Sequence, residues 1–107
     1  MNVSILGTEY AIVYKSAKED PKLEKCAGYC DPSVHQIVIG IQEPNLFDMA
    51  NMRANDQRII RHELIHAFAF ESGIAFDSDW AMNEEMTDWI ARQFPKMLKA
   101  FSAASAI

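Results

Sequence analysis

The sequence predicts an α+β fold: a small N-terminal antiparallel sheet of three to four strands packed on a pair of helices, with a short C-terminal helix after them. Two observations lead there. Through residue 42 the apolar residues come in short runs broken by turn residues, the pattern of strands. From residue 45 onward their spacing changes to that of helices. The 107 residues, half of them hydrophobic, suffice for one domain over 1–107 with its own core.

The elements follow in order. "VSIL" and "YAIVYK" flank "GTE" and read as a hairpin. "SAKEDPKLEK" (16–25) is charged, carries a proline and reads as a loop. "AGYCDPSVHQIVIG" (27–40) reads as a second hairpin, turning near Asp31, Pro32 and Ser33 and returning through "HQIVIG". "NLFDMANMRANDQ" is polar and fits a loop or an early helical turn. Asn55 or Asp56 can cap a helix through "RIIRHELIHAFAFES", which Gly73 stops. Ser78 or Asp79 can cap the next helix, 80–94. Pro95 ends or kinks that helix and can open a third, "PKMLKAFSA". Trp80, Trp89 and Phe94 are expected in the core, and His35, Lys96 and Lys99 on the surface.

The net charge of −5 and pI near 5.0 argue against a nucleic-acid or anionic-membrane surface. No apolar run approaches the roughly 20 residues of a spanning helix. The first residues have neither a basic start nor a small-residue cleavage site. A soluble cytoplasmic protein is therefore expected, with Cys26 and Cys30 as reduced thiols. Cys30 is expected as a small strand hydrophobe rather than a fourth metal ligand.

The chemistry sits in His62-Glu63-Leu64-Ile65-His66, an H-E-x-x-H motif inside an apolar helix. On a helix, residues i and i+4 share a face, so two imidazoles can converge on one ion. Glu63 is turned about 100° away, where it misses the ion but reaches a water beside it, the position of a general base. Burying imidazoles among isoleucines and phenylalanines is costly unless they are paired. A third ligand is available in "NEEMTDW" (83–89): Glu84 or Glu85, which periodicity alone does not separate. Asp88 can accept the second N–H of a ligating histidine.

H-E-x-x-H followed by N-E-x-x-[ST]-D resembles the gluzincin metallopeptidases, and "NEEMTD" matches the second motif at each fixed position. "RHELIHAFAFESG" and "NEEMTDWIARQFPKMLKAF" are also similar to small metallopeptidases of phages and prophages of Gram-positive bacteria, and to the single-domain minigluzincins. The resemblance implies a zincin-type helix pair and Zn2+ held by His62, His66 and Glu84. It further implies Glu63 as catalytic base and acid, Asp88 as the carboxylate behind a ligand, and a peptide or protein substrate. Larger gluzincins carry a downstream histidine or tyrosine that stabilises the oxyanion. No His or Tyr follows Asp88 here, and among Tyr10, Tyr14, Tyr29 and His35 the favoured candidate for that role is Tyr29 in "AGYCD". The same residues leave a second reading open: a catalytically weak or inactive zinc-stabilised interaction module, or a phage regulatory protein of antirepressor-like type.

Overall fold

In the computed structural model of the chain, residues 1–41 and 52–107 are described. Strands β1 (Asn2–Ile5), β2 (Thr8–Lys15), β3 (Gly28–Asp31) and β4 (Gln36–Gly40) precede helices α1 (Met52–Glu71) and α2 (Glu84–Ala103). The chain is thus α+β, a four-stranded sheet followed by two helices.

The first hairpin closes on Leu6 and Gly7, with Ile5 paired to Thr8. Both loop residues have positive φ (49° and 91°), the backbone of a type I′ turn that matches strand twist. The turn is therefore Leu6-Gly7, starting one residue earlier than "GTE" suggests, and Thr8 and Glu9 belong to β2. In the second hairpin Asp31 pairs with Gln36, and the Asp31 carboxylate accepts from the backbone N–H of Ser33 at 3.0 Å. The charged segment 16–25 contains one 3-10 turn, Pro21–Glu24, capped by Asp20.

The strand order is β1-β2-β4-β3. The β1–β2 and β3–β4 ladders are antiparallel, as expected, but β2 and β4 run parallel. The sheet is mixed rather than antiparallel. β4 sits between β2 and β3, and Ile37, Val38 and Ile39 are all fully buried, the continuous burial of a central strand. β3 is left at the edge, beside α1.

The core forms where the sheet meets α1: Ile5, Tyr10, Ile12, Ile37 and Ile39 pack with Ile59 and Ala67. Tyr10 is fully buried, and its hydroxyl donates to Glu71 at 2.7 Å, tying β2 to the end of α1. At Gly28 an added Cβ would lie 2.8 Å from the Val38 carbonyl and 3.1 Å from a methyl of Ile59. The bare backbone there lets β3 approach α1 closely.

Both helices differ from expectation at their ends. α1 already includes Met52, so Asn55 and Asp56 are inside it rather than at its cap; residues 45–51 of "NLFDMANMRANDQ" lie outside the described residues. Gly73 follows α1 with φ 85°, the left-handed conformation that favours glycine. Ser78 caps only a 3-10 turn, Asp79–Met82. The cap of α2 is Asn83, whose side chain accepts from the backbone of Met86 at 2.8 Å.

There is no separate third helix, because α2 runs through Pro95 to Ala103. Pro95 has no N–H, so the carbonyl of Ala91, four residues back, lacks its helical donor. Arg61 of α1 supplies one, Nε to that oxygen at 2.6 Å. Trp80, Trp89 and Phe94 are exposed rather than in the core (56%, 56% and 45%), because the buried contacts of α2 fall on Thr87 and Ala91. His35, Lys96 and Lys99 are exposed, as expected. No helix among the described residues is long and apolar enough to cross a membrane.

Candidate metal centre

Each candidate side chain is placed by a local feature of the sequence. His62 and His66 stand one helical turn apart on α1. Glu84 is the first residue of α2, fixed there by the Asn83 cap, and a carboxylate is favoured at a helix N-terminus. Asp88 follows one turn later.

These residues converge. His62 Nε2 lies 2.9 Å from Glu84 Oε2, and His66 Nε2 lies 3.0 Å from Glu84 Oε1. The two Nε2 atoms face each other at 3.2 Å. Glu63 Oε1 stands further off, 3.9 Å from His62 Nε2. Ligand atoms of His62, Glu63 and His66 all lie within 4.8 Å of one another. Of the two acids in the first turn of α2, Glu84 meets both imidazoles, and Glu85 is exposed with no contact to either ring among the described residues.

The donor chemistry is one that could hold a cation at the centre. His62 Nδ1 is 3.2 Å from Asp88 Oδ1, and a carboxylate there selects the tautomer with hydrogen on Nδ1. Nε2 of His62 then carries a lone pair, yet it faces a carboxylate oxygen and a second imidazole nitrogen. Lone pairs at that distance repel unless a proton or a metal ion lies between them. A cation bound tetrahedrally at about 2.0–2.1 Å spaces its donors about 3.3–3.4 Å apart. The observed edges of 2.9–3.2 Å are close to that cage. Two imidazole nitrogens and one carboxylate oxygen form a donor set that suits zinc.

Asp88 is itself held. Arg58 donates to Oδ1 at 2.5 Å and Arg92 to Oδ2 at 2.6 Å. Burial works to raise its pKa, but the bonds from Arg92 and His62 and the charge of Arg58 outweigh it and hold the carboxyl down at about 2. Glu63 goes the other way. It is only 6% exposed, and burial pushes its carboxyl up to about 7 against the opposing effect of His62, with the charge of Glu84 adding to the rise. A carboxyl titrating near neutrality is suited to taking and returning a proton.

Two concavities meet at this cluster. One, of about 270 Å³, includes Arg58, Ile59, His62, Glu63, Glu84 and Asp88 in its wall. The other, of about 350 Å³, includes Tyr29, Cys30, Glu63, His66, Phe70 and Met82. β3 therefore forms one side of the cleft. Tyr29 is in that wall, but its hydroxyl donates to Asp20. That bond, before burial, pushes the phenol up to about 12. The hydroxyl that the oxyanion role requires is committed elsewhere. Cys30 also lines the cleft, but burial pushes its thiol up to about 12, which disfavours the thiolate a metal needs. Cys26 and Cys30 are both free thiols.

The sequence reading missed Arg58 and Arg92. Their signal was spacing: Arg58 precedes His62 by one turn, and Arg92 follows Asp88 by one turn. It also missed Gly28, which lines both concavities. Compared with family models, curated proteins and solved structures, the chain matches none.

Proposed function

We propose that the chain is a zinc-dependent metallopeptidase acting on peptide or protein substrates in the cytoplasm. The observation that supports this most is the convergence of His62, His66 and Glu84 on one point, with the buried carboxyl of Glu63 beside it. A bound zinc would supply Lewis acidity to a water and to the peptide carbonyl. Glu63 takes the proton from the attacking water, holds it in its apolar setting and returns it to the departing amine. Asp88 keeps the Nδ1 hydrogen of His62 in place, and Arg58 and Arg92 keep Asp88 in place. The cleft wall of Tyr29, Phe70 and Met82 gives the substrate an apolar surface to rest on.

The test compares wild type with Glu63→Gln for bound zinc, by native mass spectrometry, and for hydrolysis of a peptide library. One zinc per chain is expected in both, with hydrolysis lower by about 10²–10⁴-fold in the variant. Equal hydrolysis in both would overturn the role of Glu63, and absence of zinc from wild type in excess metal would overturn the site.

A second reading has one observation in its favour. The hydroxyl of Tyr29 is bonded to Asp20, and no other tyrosine or histidine is among the residues lining the two concavities except the cage histidines. That arrangement fits a zinc-stabilised interaction module, including an antirepressor-like phage regulator, in which the metal joins α1 to α2 without turnover. Stoichiometric zinc with no cleavage of any library peptide would select it.

A further inference from the structure

Beyond the cleft, a separate concavity of about 370 Å³ lies where α1 and α2 run together. Asn55, Arg58 and Arg61 line it from α1, and Arg92, Gln93 and Lys96 from α2. Four cations and two side-chain amides thus surround one hollow in a chain whose net charge is −5. Among the described residues, no carboxylate lines it. Asp88 neutralises part of this charge through Arg58 and Arg92. Arg61 and Lys96 have no carboxylate within 4.0 Å among the described residues.

Holding like charges this close costs free energy in the absence of a counter-ion. The bonds within the protein explain part of the cluster: Arg58 also donates to Asn55 at 3.2 Å, and Arg61 serves the Ala91 carbonyl. They use two N–H groups of Arg58 and one each of Arg61 and Arg92 among the described residues. A guanidinium has five.

We propose that this hollow binds a phosphate group, gripped by Arg58, Arg61, Arg92 and Lys96. A carboxylate brings one charge and two oxygens. A phosphate brings nearly two charges and at least three acceptor oxygens, which matches several converging guanidinium forks better. The hollow is confined to the junction of two helices, so it takes a single phosphate group rather than a nucleic-acid backbone, which needs an extended basic track.

The experiment uses metal-free protein, so its outcome is independent of the peptidase reading. Inorganic phosphate is titrated at constant ionic strength, with chloride as the reference, while backbone amide shifts are followed by NMR. The expected result is a saturable shift centred on residues 55–61 and 92–96, with affinity about ten-fold weaker in Lys96→Gln and in Arg61→Gln. Lys96 is exposed and has no hydrogen bond or ion pair among the described residues, so its variant stays informative if Arg61→Gln is unstable. A parallel titration with glycerol 3-phosphate separates the sources: tighter binding of the ester identifies a phosphate carried on a larger molecule, and tighter binding of the free ion identifies inorganic phosphate. Shifts that never saturate, that chloride reproduces, or that both variants retain unchanged would overturn the site.

Discussion

Asp88 stands 3.2 Å from Nδ1 of His62, while the ring's other nitrogen, Nε2, faces Glu84. Its other contacts are two arginines, so its position is set by α1 and α2 together. Replacing it with asparagine keeps the volume but removes the charge that fixes the His62 tautomer. Zinc affinity of Asp88→Asn is expected to fall about 10–100-fold. Competition against a chromophoric chelator measures this directly, and an unchanged affinity would show that His62 needs no such support.

Glu63 is a source of instability in the metal-free chain. Its carboxyl is raised from an ordinary 4.5 to about 7 by burial, so the folded chain holds this proton more tightly than the unfolded chain does. The neutral form is the one that folding favours. The associated stability is fully present below about pH 4.5, is lost as pH rises through about 7, and then stays lost. The cost at alkaline pH is about 3 kcal/mol. Metal-free Glu63→Gln, which cannot ionise, should therefore melt above wild type at pH 8 and level with it at pH 4. Thermal melts in chelator across that range test it, and parallel curves at all pH values would refute the buried-acid account.

At Gly28, β3 comes close to α1. Gly28→Ala puts a methyl 2.8 Å from a backbone carbonyl that the β3–β4 ladder holds in place, and 3.1 Å from Ile59. Overpacking of this kind costs about 1–3 kcal/mol. Because Ile59 precedes His62 by three residues, the same strain is expected to reach the candidate metal centre. A lowered urea midpoint together with weakened zinc binding is expected. A variant with wild-type midpoint would mean that strand and helix have room to part.

The arrangement of His62, Glu63 and His66 was legible because helical spacing alone puts these residues on neighbouring faces. Glu84 was legible by motif and not by period, since Glu85 fits the acidic first turn equally well; only the folded geometry separates them, with Glu84 beside both imidazoles. The parallel pairing of β2 with β4 was not legible, because turn residues encode hairpins between neighbours and say nothing about which strand a hairpin adds to. The buried run Ile37-Val38-Ile39 hinted at a central strand without naming its partner. The exposure of Trp80, Trp89 and Phe94 was not legible because apolar character alone does not imply burial, least of all for large aromatics.

For anyone engineering this protein, Pro95 offers less stabilisation than a proline inside a helix usually does. Removing a proline from a helix interior ordinarily gains about 3 kcal/mol. Here the new N–H would compete with Arg61 for the Ala91 carbonyl, so part of that gain returns as a lost bridge between helices. Pro95→Ala should fall short of the usual gain in denaturant midpoint, and the shortfall should vanish when Arg61→Gln is already present. The proline works as a socket, an acceptor left open in one helix so that the other can plug into it.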